Sequence, residues 1–382
     1  MDQWLIAAVW VSLALAAGVV SVRTAISVSL LEITFGVVAG SLFHVPTTEW
    51  TVFLAGFGAI LLTFLAGAEI DPVALRKHLK PSLAIGLVSF LFPFLGAMAF
   101  ARYIIGWEVR AAQIAGVALS TTSVAVVYSV MLETGLNRTD LGKLILAACF
   151  VTDLGTVLAL GILFAHYDLW LALFGVVAAL VLVVLPRTAR WFFSRFGGRI
   201  SELETKLVFL LLFALGGLAV KASSEAVLPA YVTGLALAPL FAEHPDLVRR
   251  MRTTVFALLT PFYFLRAGML VSLPAVWTGG GVILLLLAVK LVAKTAGVVP
   301  LTRAFGMHPR ARVYTTLLMS TGLTFGTISA LFGYQRGLID HIQYSILVTV
   351  VIASAVVPTI IAQALFLPDR DQAEASSQAP NG

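Results

Sequence analysis

Asp153 stands where lipid makes a bare charge expensive, midway along the apolar run Leu141–Phe164, within Phe150-Val151-Thr152-Asp153-Leu154-Gly155-Thr156. An ionised side chain at the bilayer centre costs about 2.5–3.5 kcal/mol even on the lenient insertion scale, so something must offset it. A carboxylate at that depth can take up and release a proton, and its oxygens also suit a hard monovalent cation. Proton and cation would then compete for one position, the least machinery that couples their movements. Asp153 is therefore the expected ligand of a monovalent cation; its plainer role is a permanent ion pair that ties two helices together.

Basic residues occur at comparable depth. Lys290 and Lys294 are four apart and share one helix face, turned toward the interior or a cavity, where either could balance Asp153. Lys290 reads as packing or pairing. Lys294 reads as a fixed counter-charge or a participant in ion release. Two hydroxyl-rich runs fall at the centres of apolar stretches, Ser120-Thr121-Thr122-Ser123 and the segment containing Ser320, Thr321, Gly322 and Thr324. Hydroxyls compete for backbone hydrogen bonds and glycine adds freedom, so both runs are expected to break their helices. Unwound backbone is tolerated in a membrane only where protein or a water-filled cavity covers it. Freed carbonyls and hydroxyls at Thr121, Thr122 and Ser123, with Thr152, could complete a cation's oxygen shell beside Asp153. Glu69 and Arg266 form a further expected supporting pair, and Glu32, with Gly36 and Gly40 following it, points to close helix packing.

The elements that must hold these groups are membrane helices. The 382 residues are 60% hydrophobic and 12% charged, with mean hydropathy +1.00, far from a soluble domain. Thirteen apolar runs, each near the roughly 20 residues a spanning helix needs, lie at about 4–22, 26–44, 50–70, 82–105, 111–134, 141–164, 166–186, 205–222, 225–242, 252–272, 281–302, 311–334 and 338–366. With the N-terminus outside, 18 Lys and Arg fall on the inner side, among them Arg76, Lys77, Lys80, Arg187, Arg190, Arg195, Arg199, Arg249, Arg250 and Arg252, against four outside: Arg102, Arg110, Lys221 and Arg336. That bias predicts an outer N-terminus, a cytoplasmic C-terminus and an odd helix count. The net charge of +6 is spread through short loops, so no nucleic-acid surface is indicated.

Neither composition nor motif indicates a cofactor. Cys149 is the single cysteine, the six histidines fall at helix ends or in loops, and no glycine-rich nucleotide fingerprint follows a strand pattern. The halves overlay at an offset of about 200 residues: Phe64-Leu65-Ala66-Gly67 on Phe264-Leu265 with Ala267-Gly268, Ser120-Thr121 on Ser320-Thr321, Asp140 on Asp340. With six helices per copy and a seventh as connector, the second copy enters from the opposite side, an inverted repeat suited to alternating access.

These residues together resemble the monovalent cation:proton antiporter superfamily, in its branch of bacterial sodium/proton and potassium-efflux antiporters. The likeness runs through Leu31-Glu32 with Gly36 and Gly40, Leu62-Thr63-Phe64-Leu65-Ala66-Gly67-Ala68-Glu69, Ser120-Thr121-Thr122-Ser123, Val151-Thr152-Asp153, Pro261-Phe262-Tyr263-Phe264 with Gly268, and Lys294. It implies an all-α polytopic membrane protein of about thirteen helices with two discontinuous crossing helices. It also implies a homodimer in a bacterial inner membrane, with a moving core at about 82–164 and 281–366 and a dimerisation scaffold at about 1–70 and 205–272. A connector at about 166–206 and a disordered tail at 367–382 complete the organisation. Asp153 looks like the family's ion-binding aspartate. Electrogenic members carry two adjacent acids, and here Thr152 replaces the first, which implies one-for-one electroneutral exchange of Na+ or K+ for H+. A channel, a non-transporting sensor and an intramembrane aspartyl protease are the competing classes; the protease chemistry needs two carboxylates that share a proton.

Overall fold

Lipid offers a backbone no hydrogen-bond partner, so an apolar chain must satisfy its own amides within helices or a closed barrel. In the computed structural model, which describes residues 2–24, 26, 28–68, 79–164, 169–199, 201–221 and 227–369, every regular element is helical. The helices run α1 (Gln3–Thr24), α2 (Val28–Ser41), α3 (Glu49–Ala68), α4 (Leu79–Phe100), α5 (Val109–Ser120), α6 (Val124–Thr134), α7 (Asp140–Leu163), α8 (Leu169–Phe196) and α9 (Leu203–Lys221). They continue with α10 (Val227–Glu243), α11 (Pro245–Thr254), α12 (Thr260–Met269), α13 (Leu273–Thr278), α14 (Gly280–Ala304), α15 (Pro309–Met319), α16 (Thr324–Gln335) and α17 (His341–Leu365). Among the described residues nine helical segments are long and apolar enough to cross a membrane, and α2 and α5 are shorter apolar helices. The chain is thus an all-helical, multi-pass membrane protein.

The helices group into two compact units. The first comprises Met1–Thr48, Ala74–Thr156 and Phe264–Gly382. Its element boundaries repeat at an offset near 200: α4, α5, α6 and α7 correspond to α14, α15, α16 and α17. The punctuation repeats as well. Gly106 (φ 84°) and Gly306 (φ 71°) close the segments before α5 and α15, and Gly135 (φ 71°) and Gly337 (φ 66°) close α6 and α16. A left-handed residue after a helix costs glycine no Cβ clash, which is why glycine holds these four stops. α17 then starts on a capping box, with Asp340 accepting from the Gln343 amide at 2.7 Å and the Gln343 side chain accepting from the Asp340 amide at 3.0 Å.

Glycine also brings backbones together in this unit. A methyl group on Gly36 would strike the Leu265 carbonyl, one on Gly40 would lie 2.6 Å from the Met269 carbonyl, and one on Gly268 would strike the Ile33 carbonyl. α2 and α12 therefore touch backbone to backbone, the close approach that glycine at positions four apart permits.

The second unit, Glu49–Val73 and Val157–Tyr263, packs by other means. Its interior joins Leu61, Phe64, Val208, Leu212, Leu237, Phe241 and Leu259, beside Phe57, which stacks on Phe213 at 4.6 Å and meets Phe209 edge-on at 5.4 Å, centroid to centroid. Gly67 and Gly234 seat α3 against α10, facing the Tyr231 and Phe64 carbonyls. Exposed ion pairs, Arg250–Glu202 at 2.9 Å and Arg190–Glu243 at 3.1 Å, decorate its polar end and add little to stability.

Candidate ion site

The site begins where α5 and α15 stop. α5 ends at Ser120 because Thr121 turns to extended backbone (φ −64°, ψ 155°), and α16 begins only after Leu323, at φ −150° and ψ −78°. The local cause is the competition that the hydroxyl runs set up. Ser120 Oγ donates to the Val117 carbonyl at 2.8 Å and Thr121 Oγ1 to Ala118 at 3.1 Å; across the repeat, Ser320 Oγ donates to Thr316 at 2.7 Å and Thr321 Oγ1 to Leu318 at 2.8 Å. Each occupies a carbonyl that the next helical turn would have used.

The two breaks are bonded to each other. The Ser123 amide donates to the Thr321 carbonyl at 3.1 Å, and Thr122 Oγ1 donates to the Met319 carbonyl at 2.8 Å. Ser123 then caps α6, its Oγ accepting from the Val126 amide at 3.3 Å. Thr121, Thr122, Ser123, Ser320, Thr321 and Leu323 are all buried, as unwound backbone at membrane depth requires.

Lys294 projects from α14 into this junction and is fully buried. Its Nζ donates to Ser89 Oγ at 2.8 Å, to the Ser120 carbonyl at 2.9 Å and to Thr122 Oγ1 at 3.0 Å. An ammonium has three donors, and all three are spent on neutral oxygens. Two of these belong to the α5 break, so the lysine meets the partial negative charge at the end of α5.

Asp153 lies on α7, 1% exposed, with Lys294 as its charged neighbour. Its Oδ1 is buried without a hydrogen-bond partner among the described residues. The same holds of Glu32 Oε2 and Glu204 Oε2; what such a carboxylate oxygen offers is lone pairs that an ion, a proton or water can use. Thr152 directs its own hydroxyl proton to the Cys149 carbonyl at 2.6 Å, which leaves only lone pairs for any cation.

The structure also places the remaining expected residues. Lys290 is buried one turn from Lys294 and donates to Ser354 Oγ at 2.9 Å. Gly322 sits at the second break and Thr324 opens α16. Arg266 is on α12, whereas Glu69 lies outside the described residues, so their pairing has no geometry here. Arg76 and Lys77 likewise lie outside the described residues. Two lysine partners escaped the sequence, Ser89 on α4 and Ser354 on α17, each a small hydroxyl in an apolar run. Ser82 and Ser89, seven apart and both buried, carried a faint helical signal.

Residues 10–367 match the family model described as "Sodium/hydrogen exchanger, transmembrane". The chain belongs to that family. This family member is 24% identical over 332 residues to a protein of Methanocaldococcus jannaschii named probable Na(+)/H(+) antiporter 3, covering 82% of the chain and 83% of the relative. It is 23% identical over 354 residues to the Na(+)/H(+)-K(+) antiporter GerN of Bacillus cereus, covering 89% and 90%. Two plant relatives are longer, and the chain spans 42% and 40% of their lengths. Among solved structures, the sodium proton antiporter MjNhaP1 of Methanocaldococcus jannaschii, at pH 8, superposes with a TM-score of 0.72 over 100% of both chains at 13% identity, a likeness of fold. The family is one of transporters.

Proposed function

We propose that this family member is a secondary antiporter that exchanges a monovalent cation, Na+ in preference, for H+, with Asp153 binding either ion. The observation that carries this reading is the contrast between two buried charges. Lys294 has its three donors engaged by Ser89, Ser120 and Thr122, while Asp153 keeps an oxygen without a partner. Here Lys294, held by three neutral oxygens, serves as a fixed charge through the cycle. Only Asp153 then changes state, between one proton and one cation, and equal charge moves each way. The exchange is electroneutral, one for one, and needs no cofactor.

In this reading Thr121, Thr122, Ser123 and Thr152 supply neutral oxygens beside Asp153, with Arg266 and Glu69 as supporting charges. The chain forms thirteen spans with α5–α6 and α15–α16 as discontinuous crossing helices, a core at about 82–164 and 281–366 moving against a scaffold at about 1–70 and 205–272. It acts as a homodimer in a bacterial inner membrane, N-terminus outside and C-terminus in the cytoplasm, in pH homeostasis. The exposed faces of α1 and of Ala172–Phe196, each 17% buried, support a partner or lipid there.

Potassium efflux against protons is the second reading, favoured by the name of the Bacillus cereus relative. The test is cation-driven pH change inside proteoliposomes of the full chain. Sodium pulses should move protons in wild type and not in Asp153→Asn; retained exchange in that variant refutes the proposal, and a potassium pulse of greater effect selects the second reading.

A further inference from the structure

We infer that the Lys290 ammonium is a built-in substitute cation, seated in a second oxygen-lined position at the helix breaks that would otherwise take a free monovalent ion. The inference extends the reading of Asp153 as the site of the transported ion. Lys290 is fully buried on α14, and its Nζ donates to Ser354 Oγ at 2.9 Å. A methyl group built on Gly322 would collide with that Nζ and would lie 3.1 Å from Thr121 Oγ1 and 3.2 Å from Ser354 Oγ. Three polar atoms from α14, the first break and α17 therefore converge beside the Gly322 Cα. The absent side chain is what admits the ammonium.

Hydroxyl polarity decides what the position accepts. Ser354 Oγ donates its proton to the Val351 carbonyl at 2.8 Å, and Thr121 Oγ1 donates to Ala118 at 3.1 Å. Each hydroxyl has one proton to give, so Ser354 offers Nζ a lone pair and Thr121, beside Gly322, has only lone pairs left for a cation there. The lone pairs and the C-terminal ends of α5 and α15 favour positive charge there, against the N-terminal end of α16 that begins after Leu323. An ammonium resembles a potassium ion in size and charge, and here it is tethered to α14. Its volume and like charge exclude a second mobile cation, which leaves Asp153 to carry one ion per cycle.

Removing the tether should expose the position. Radiolabelled rubidium and sodium are counted on the purified full chain for wild type, K290S, K290M, D153N and D153N/K290S. K290S is expected to bind one ion more per chain than wild type, rubidium in preference, while K290M fills the volume without charge and gains none. D153N/K290S keeps the added ion, so the outcome is independent of Asp153, and D153N alone examines that residue. A wild-type ion count in K290S, or an equal gain in K290M, overturns the inference. Should K290S prove too unstable to purify, thermal unfolding in membranes replaces the count: rubidium chloride must raise the Tm of K290S more than that of wild type, relative to N-methylglucamine chloride. Equal shifts overturn it as well.

Discussion

Each of the two units has an apolar interior, and they differ in the charge they bury. The second packs aliphatic side chains and a phenylalanine stack, whereas the first, beside its own apolar cluster of Ile85, Met131, Leu144 and Leu318, closes around Ser89, Ser120, Thr121, Thr122, Asp153, Lys290, Lys294 and Ser354. Both are apolar in sequence, since lipid demands it of every outward face. In a membrane protein hydrophobicity therefore says little about function, and buried polarity says most. Both units pack apolar side chains; the first also holds two lysines and an aspartate, which unwound backbone and hydroxyls accommodate.

The sharpest way to break that comparison is Asp153→Asn. It should abolish cation-driven proton movement while leaving thermal stability close to wild type, because asparagine keeps the size and polarity of the protonated acid and spares the cost of burying its charged form. Loss of fold together with transport would return Asp153 to the structural role that the second unit's residues play. Lys294→Met comes next, with lower Tm and lost exchange. Three oxygens lose their donor, and each buried acceptor left unsatisfied costs about 1–3 kcal/mol, read by thermal unfolding.

Thr152→Asp sharpens the comparison by adding a second acid to the polar unit. Wild-type exchange is expected to be flat with voltage, and this variant to respond to it, since a net charge crossing the bilayer is worth about 2.3 kcal/mol per 100 mV. Strong voltage dependence in wild type would refute one-for-one exchange. The pH dependence has a defined sign. A protonated Asp153 cannot take the cation, so lowering pH should raise the apparent KM, approaching about tenfold per unit in the acid limit, without lowering the rate at saturating cation.

The smallest effect on transport is expected in the second unit. Gly234→Ala presses a methyl group onto the Phe64 carbonyl, and overpacking of this kind costs about 1–3 kcal/mol. Folded protein should decrease, while the apparent KM and pH profile of what remains stay unchanged.

Charge and hydroxyl content made part of the site legible. Asp153 and Lys294 stood out because lipid makes any buried charge conspicuous, and the runs at Ser120 and Ser320 stood out because four hydroxyls in apolar sequence compete with the helix. The repeat could be read from Ser120-Thr121 and Asp140, yet Gly106 and Gly306, which obey the same offset, passed unnoticed because a single glycine in a loop resembles any other. Ser89 and Ser354 were hidden for a related reason: lone serines are common in membrane helices. Nor could spacing say that the donors of Lys294 go to neutral oxygens. A helix face gives the direction of a side chain, but which carbonyls lie free at its tip depends on where another helix unwinds.

The glycine contact between α2 and α12 has a consequence for how the protein is made. Ser41 and Val271 meet across 230 residues of chain, and synthesis at about 5–20 residues per second separates their arrival in the membrane by roughly 10–50 s. Throughout that interval α12 is absent from the groove at Gly36 and Gly40, which carries the Glu32 carboxylate on the same stripe. The nascent chain thus holds a polar stripe on α2 before the helix that packs on it exists, and something other than α12 must cover that stripe until then.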